Sequence, residues 1–302
     1  MRDCSTLLDC IGKTPVVRLP EDKPDNKGQI WAKLEFLNPG GSLKDRMCLN
    51  IINSMEKAGL LGVGGRLVEA SGGNTAISLA MIAAAKGYGL TLVMPESVQH
   101  ARVQLLSAYG AEIVLTPATA GMRGSLEKAQ EISEKAENWR LLNQFENPAN
   151  PAAHRLTTAV EILKSLGKSP DVFVMGVGTG GTISGVGEAL KKHNRNVKIV
   201  AVEPAESPVL SGGNPGPHRF AGIGAGFIPK NLNLGIIDDV ALVTYEQARE
   251  ATRTLAIRYG IYTGLSSGAA YSAALAQRAK IGPDKIILTI ICDAGDRCTP
   301  IA

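Results

Sequence analysis

The chain has 302 residues, of which 44% are hydrophobic and 20% charged, which is enough for a large core and roughly two domains. Its net charge of +4 comes from 32 basic and 28 acidic residues, interspersed without long runs of one sign. This pattern argues against binding to nucleic acid or to a membrane surface.

Strand-like and helix-like segments alternate along the whole chain. Several strand candidates are short apolar runs, as expected for strands buried on both faces of a parallel sheet. The alternation predicts an α/β fold with doubly wound, mainly parallel sheets. The predicted strands are residues 16–19, 30–35, 66–70, 90–94, 112–116, 172–176, 198–203, 240–243 and 285–291. The predicted helices are residues 43–57, 75–86, 98–109, 125–136, 152–166, 182–192, 245–259 and 268–279.

The turn at residues 38–46 reads Asn-Pro-Gly-Gly-Ser-Leu-Lys-Asp-Arg and joins a predicted strand to a predicted helix. It places Lys44 in or near the first helical turn, where the helix dipole disfavours a cation. Such a position is expected to lower the pKa of the lysine, and a neutral amine is the form that reacts with carbonyl groups. Lys44 is therefore a candidate nucleophile; the alternative is a solvated surface lysine.

A glycine-rich turn, Gly-Val-Gly-Thr-Gly-Gly-Thr at residues 176–182, follows an apolar strand and opens a predicted helix. Glycines let backbone N–H groups approach an anion, and the helix dipole and the hydroxyls of Thr179 and Thr182 strengthen the attraction. We predict a phosphate site here, with an ordinary tight turn as the alternative. The glycines also fit G-x-G-x-x-G, and Glu203 closes the next strand, so an NAD site is a rival interpretation.

Two further turns of small residues open helices. Ser-Gly-Gly-Asn-Thr at residues 71–75 suits a small carboxylate, and Gly-Leu-Ser-Ser-Gly-Ala occupies residues 264–269. Each could instead be only a helix cap. Together with Lys44, the three turns imply a phosphate-bearing carbonyl cofactor and an amino acid. Pyridoxal phosphate fits better than a dinucleotide, which would leave Lys44 and residues 71–75 without a role.

These motifs stand in the order found in a known family. On them the chain resembles the cysteine synthases (O-acetylserine sulfhydrylases) and cystathionine β-synthases, pyridoxal-phosphate enzymes of fold type II with a tryptophan synthase β-like fold. The resemblance covers nearly the whole chain, and it rests on residues 11–15, 38–46, 71–75, 144–151, 178–182, 215–229 and 264–268.

The resemblance implies a role for each predicted site residue. Lys44 would hold the cofactor as a Schiff base and move the substrate α-proton. Asn74 would bond the ring hydroxyl oxygen, and Ser266 would face the pyridine nitrogen. The cofactor phosphate would be held by Gly178, Thr179, Gly180, Gly181 and Thr182. The substrate carboxylate would be bound by Ser71, Gly72, Asn74, Thr75 and Gln144.

The implied reaction is a ping-pong β-replacement. Acetate would leave O-acetyl-L-serine to give an aminoacrylate on the cofactor, and sulfide would then add to give L-cysteine. A smaller, mobile domain (residues 40–147) would carry the substrate loop, and a larger one (residues 1–39 and 148–302) would hold the cofactor phosphate. Closure of the loop would exclude water from the reacting carbon.

The substrate loop departs from the family pattern Thr-Ser-Gly-Asn-Thr-Gly at Gly72 and Ala76. We expect Gly72 to remove one polar contact and to leave added room, which could admit a larger sulfur nucleophile such as homocysteine. A cystathionine β-synthase that uses O-acetylserine or serine is therefore one alternative. A cofactor-bound protein of weak activity that works by binding a partner is another.

Cysteine usage and the first residues suggest the compartment. The five cysteines are odd in number and form no C-x-x-C pair, so we expect reduced thiols in a cytoplasmic protein. No apolar segment of a signal peptide follows Met1, and the four histidines lack metal-ligand spacing, so we expect no metal. The resemblance also implies a homodimer and admits a serine acetyltransferase tail as a partner.

Overall fold

The computed structural model describes residues 4–20, 26–135 and 137–297. The last residue of the predicted helix 125–136 and the cysteine at position 298 lie outside these ranges. Within them the strands are β1 Val16–Leu19, β2 Gln29–Leu34, β3 Arg66–Ala70, β4 Gly89–Pro95, β5 Glu112–Thr116, β6 Trp139–Leu141, β7 Val172–Gly176, β8 Lys198–Pro204, β9 Asp239–Val243 and β10 Ile286–Ile291. The helices are α1 Lys44–Lys57, α2 Asn74–Lys86, α3 His100–Ala108, α4 Gly121–Glu134, α5 Ala149–Ala153, α6 Ala159–Leu166, α7 Gly181–His193, α8 Tyr245–Tyr259 and α9 Leu265–Arg278.

The larger sheet has six strands in the order β1-β2-β10-β7-β8-β9. Only the edge pair β1 and β2 is antiparallel, and the other neighbours are parallel. All six residues of β10 are buried, because helices cover both faces of the strand. The apolar run therefore has the cause predicted from the sequence, burial on two faces of a parallel sheet.

The smaller sheet has four parallel strands in the order β5-β4-β3-β6. Its core joins α1 and α2 to the sheet through fully buried side chains such as Ile51, Ile77 and Leu92. Its strands all lie within residues 66–141, inside the segment predicted to be the smaller domain. The proposed mobility of that segment stays a prediction.

The structure corrects the predicted elements in three places. Strand β6 was missed, and α4 begins at Gly121 rather than at residue 125. The predicted helix 152–166 is instead three pieces, in which a π-helical turn at His154–Thr158 separates α5 from α6. None of the helices within the described ranges is both long and apolar enough to span a bilayer.

Candidate active site

One cavity lies where the carboxyl ends of β7 and β10 meet the first turns of α1, α2, α7 and α9. It holds about 470 Å³ of empty space, including its mouth. Its lining contains seven of the predicted site residues: Lys44, Asn74, Gly178, Thr179, Gly180, Thr182 and Ser266. The other predicted residues are outside this lining: Ser71, Gly72, Thr75, Gln144 and Gly181.

Lys44 is the first residue of α1 and lines the cavity. Burial lowers the pKa of its ammonium group, while Cys48, Cys292 and Asp293 oppose that shift. The direction agrees with the sequence prediction, but the largest cause is loss of hydration rather than the helix dipole. Lys44 is therefore easier to deprotonate than a surface lysine.

Two glycines of the glycine-rich turn lie so close to their surroundings that a side chain at either position would not fit. A Cβ atom at Gly178 would overlap the carbonyl oxygen of Gly222, and Gly180 has a φ of +78°, which favours glycine. The turn ends where α7 begins, so backbone N–H groups and the positive end of the helix dipole lie beside the cavity. These are the features of a phosphate cradle.

Two buried residues to which the sequence analysis assigned no role hold the cradle threonines. Asn150 donates from Nδ2 to Oγ1 of Thr179 at 3.0 Å. His154, in the π-helical turn, places Nε2 3.2 Å from Oγ1 of Thr182. Burial, followed by the charge of Arg46, lowers the pKa of His154 to about 3, so this histidine is neutral at physiological pH.

The predicted substrate loop, residues 71–75, contacts two distant segments. Thr75 donates from Oγ1 to Oε1 of Gln144 at 2.7 Å, so these two residues are neighbours, and their binding of a carboxylate stays a prediction. Asn74 donates from Nδ2 to Oδ2 of Asp293 at 2.7 Å. Asp293 follows β10 and lines the cavity, but no sequence motif marked it.

Gly72 does not provide the added room expected from the sequence. A Cβ atom at this position would lie 2.8 Å from Cγ2 of Val98 and 3.6 Å from Cβ of Met94. Val98 therefore fills the volume that a side chain at position 72 would need. The expectation that Gly72 creates space for a larger nucleophile is wrong at this point in the loop.

Two thiols lie near Lys44. Cys48 is one turn further along α1, and Cys292 follows β10 and lines the cavity. Burial raises the pKa of Cys292 to about 12 and raises that of Cys48 well above its usual range. Both sulfur atoms are therefore protonated at neutral pH. Ser266, in the first turn of α9, is buried and lines the same cavity as Cys292.

A buried ion network fixes the start of α1 behind Lys44. Arg46 binds Glu35 at 2.7 Å and Glu161 at 2.8 Å, and Lys33 binds Glu161 at 2.8 Å. Burial opposes ionisation of Glu161, but the hydrogen bond and charge of Arg46 lower its pKa to about 2. The two cations and two anions balance, so α1 is held without a net buried charge.

The rival dinucleotide interpretation fails at its acidic residue. Glu203 accepts hydrogen bonds from the backbone N–H groups of Leu210 and Ser211 at 2.7 and 2.9 Å, and from the Ser211 hydroxyl at 2.7 Å. Its side chain therefore accepts hydrogen bonds from the turn at residues 210 and 211, whereas a dinucleotide site would need it to accept them from a ribose hydroxyl. In residues 4–20, 26–135 and 137–297, no cluster of three or more His, Cys, Asp or Glu side chains could hold a metal.

The cavity fits pyridoxal phosphate. The cradle at Gly178–Thr182 suits its phosphate, and the amine of Lys44 suits its aldehyde. In the described part of the chain, Oδ1 of Asn74 is buried without a hydrogen-bond partner. A polar ring group beside this atom would satisfy it. The residues present therefore match the three parts of the cofactor: phosphate, carbonyl carbon and polar ring.

Comparison with known proteins also supports pyridoxal phosphate as the cofactor. The family described as "Pyridoxal-phosphate dependent enzyme" matches residues 7–293. A cysteine synthase of Staphylococcus aureus strain Mu50 is 48% identical over 292 residues, which are 96% of this chain and 94% of that protein. O-acetyl serine sulfhydrylase isoform 3 from Entamoeba histolytica has a TM-score of 0.94 and 41% identity, over 98% of this chain and 90% of that one. The O-acetylserine dependent cystathionine beta-synthase from Helicobacter pylori has a TM-score of 0.91 and 38% identity, over 98% and 97%.

Proposed function

The chain belongs to the family of pyridoxal-phosphate-dependent enzymes, and we propose that it makes L-cysteine and acetate from O-acetyl-L-serine and sulfide. The observation that carries this proposal is one cavity that joins Lys44, its pKa lowered by burial, to the glycine cradle at the start of α7. The similarity to cysteine synthases over nearly the whole chain supports the substrate pair.

The residues of the cavity would divide the work on the cofactor. Backbone N–H groups of Gly178–Thr182 and the hydroxyls of Thr179 and Thr182 would bind the phosphate. Nζ of Lys44 would bond the aldehyde carbon, with loss of water. When bound, the cofactor supplies an electron-withdrawing ring that stabilises negative charge at the α-carbon of the amino acid.

Lys44 would also move the proton. Once the substrate amine has displaced it, its Nζ would be free to take the proton from the α-carbon, and burial, which lowers the pKa of the amine, favours the neutral base. Acetate would then leave from the β-carbon, sulfide would add there, and Lys44 would return the proton to the α-carbon. Ser266 would offer the ring nitrogen a neutral hydroxyl, which favours loss of the β-substituent over transamination.

The substrate carboxylate would lie at the start of α2. Ser71, Asn74 and Thr75 would bind it, with Gln144 reached through Thr75 and the backbone of Gly72 contributing. Closure of residues 71–75, as part of a mobile segment 40–147, would exclude water from the reacting β-carbon. The contact of Asn74 with Asp293 supports this proposal, because it already joins the loop to the larger sheet.

Absorbance spectra of the purified protein test the proposal. A visible band that is absent in Lys44→Ala and that shifts on addition of O-acetylserine is expected. A colourless protein that gains no band when pyridoxal phosphate is added would refute the cofactor assignment. A coloured protein that O-acetylserine leaves unchanged would refute the donor and favour a partner-binding role.

A cystathionine β-synthase activity is the second candidate, since the Helicobacter pylori enzyme of that name covers the same length of chain. One measurement separates the two activities. O-acetylserine is added first, and the rates at which sulfide and homocysteine then restore the original absorbance band are compared. The filled volume beside Gly72 favours sulfide. A faster return with homocysteine would reverse this order.

We further propose that the protein is a cytoplasmic homodimer. Leu156 and Val160 are four residues apart on one helical face and are 66% and 55% exposed, which suits a subunit contact. The reduced thiols of Cys4, Cys10, Cys48 and Cys292 suit a reducing compartment. Analytical ultracentrifugation of the protein alone, and with a serine acetyltransferase tail peptide, would test both the dimer and that partner.

A further inference from the structure

Glu69 is a buried carboxyl group that the proposed reaction does not use directly. It is the fourth residue of β3 and is 1% exposed. Its Oε2 accepts a hydrogen bond from the backbone N–H of Asn143 at 2.9 Å. This contact joins segments that are 74 residues apart, so it fixes tertiary geometry rather than a local turn.

The contact replaces backbone pairing at the point where β6 ends. The ladder pairs Val68 with Leu141, and the N–H of Leu142 then donates to the carbonyl of Val68. The next N–H, that of Asn143, meets the Glu69 side chain instead of a strand. Asn143 has a φ of +53°, in the left-handed region that asparagine adopts more readily than most non-glycine residues, and the contact with Glu69 fixes its N–H in that turn.

Both arms of the predicted substrate-carboxylate site start from this junction. On one side β3 runs from Glu69 into the loop that holds Thr75. On the other side Asn143 leads directly to Gln144, whose Oε1 accepts from Thr75. A side chain that fixes the turn at Asn143 therefore sets where Gln144 meets Thr75.

We propose that Glu69 is a positioning residue for substrate binding, which holds Gln144 and Thr75 at the spacing that receives the amino-acid carboxylate. The inference rests on the proposed function, because it assumes that these two residues bind the substrate. Glu69 itself touches neither substrate nor cofactor. Its loss is expected to weaken substrate binding and to leave the cofactor site intact.

The chemistry of the group predicts which substitution is tolerated. Burial raises the pKa of Glu69 to about 8, although backbone N–H groups of Asn143, Ala70 and Gln144 oppose the shift. Cys48 of α1, itself kept neutral by burial, is one titratable neighbour of Glu69. At pH 7 Glu69 is mostly a neutral carboxyl, which glutamine matches in shape and in its oxygen acceptor. Alanine provides no acceptor for Asn143.

The test compares steady-state kinetics at pH 7 with amino-acid binding measured on the holoenzyme. For Glu69→Ala we expect the KM for O-acetylserine to rise roughly tenfold, the effect of one lost buried hydrogen bond, with kcat within about threefold. The Kd for L-alanine, which has no β-leaving group, should rise in parallel when followed by the visible band. Glu69→Gln should stay within about twofold of the parent protein in all three values.

Glu203→Ala is the matched control. Glu203 is also a buried side-chain carboxyl group on a strand that accepts backbone N–H groups, but it lies on β8 of the larger sheet and holds the turn at residues 210 and 211. It should lower the melting temperature without raising the Kd for L-alanine. If Glu69→Ala does not fold, Glu69→Met, which keeps the side-chain length but has no acceptor, carries the same expectation.

Thr75→Ala separates failure of this inference from failure of the proposed function. If Thr75→Ala leaves both KM and the Kd for L-alanine unchanged, the substrate site is wrong and the inference falls with it. If Thr75→Ala weakens binding but Glu69→Ala and Glu69→Met do not, Glu69 is not a positioning residue. Equal effects of Glu69→Ala and Glu203→Ala on Kd would also overturn it, because they would show general destabilisation.

Discussion

Replacing Gly72 by serine, the residue usual in the family, tests whether Val98 occupies the volume beside the substrate loop. The backbone does not oppose the change, because Gly72 is not among the glycines with positive φ. The side chain does, because its Cβ would lie 2.8 Å from Cγ2 of Val98. Carbon atoms pack best at about 3.5–4.0 Å, so one of the two groups must move by roughly 0.7 Å or more.

The cost of Gly72→Ser should be near the low end of the range for overpacking. Val98 is only partly buried and stands in the segment before α3, so it can shift. We expect the free energy of unfolding to fall by about 1–2 kcal/mol. That corresponds to a melting temperature lower by about 2–3 °C in a chain of this length.

Thermal unfolding of four proteins measures the effect: the parent, Gly72→Ser, Val98→Ala and the double variant. Removing the Val98 methyl groups should relieve the clash, so the double variant should be more stable than the two single changes predict by about 1 kcal/mol. Gly73→Ser is the matched control, since nothing lies within 4 Å of a Cβ at Gly73 and its extended backbone suits serine. A Gly72→Ser protein as stable as the parent, or additive effects in the cycle, would refute the reasoning.

Three further predictions concern the cradle, pH and the ion network. Gly178→Ala should raise the Kd for pyridoxal phosphate, titrated by the visible band, by more than about tenfold, because its Cβ would overlap a backbone carbonyl; Gly282→Ala, in open space, should leave it unchanged. Between pH 4.5 and 8, Glu69 keeps a proton in the folded protein that the unfolded chain has released, so its contribution to stability falls as pH rises. In urea unfolding, the free energy of unfolding of Glu69→Gln should therefore increase relative to that of the parent from pH 5 to pH 8. A difference that stays constant with pH would contradict the raised pKa. Arg46→Ala should cost about 3–5 kcal/mol by leaving a buried carboxylate unpaired, against about 0–1 kcal/mol for the exposed Arg123→Ala. Equal losses in urea unfolding would show that the network is unimportant.

The strands that were predicted correctly are those whose sequence reflects their burial. An apolar run such as β10 can be predicted from the sequence because both of its faces are buried. Strand β6 was not predicted from the sequence, because it has only three residues with Arg140 at the centre. Its extended conformation comes from pairing with β3. The order of strands was also hidden, since β2 pairs with β10 more than 250 residues away.

The site divides in the same way. The turns that hold Lys44 and the phosphate cradle require backbone conformations and close approaches that glycine and small residues permit, so these residues indicate the turns in the sequence. Asp293 and Asn150 carry no such mark, because each acts through a partner distant in sequence. The expectation about Gly72 failed for the same reason, since Val98 comes from another loop.

The two buried thiols beside Lys44 bear on how the protein survives its own chemistry. A catalyst that prepares a β-carbon for attack by sulfur risks being alkylated on its own sulfur atoms. Burial raises the pKa of Cys292 to about 12 and raises that of Cys48 well above its usual range, so both groups stay as thiols, not nucleophilic thiolates, at pH 7. We therefore expect dissolved sulfide, which ionises more readily in water, to react with the β-carbon faster than either buried thiol.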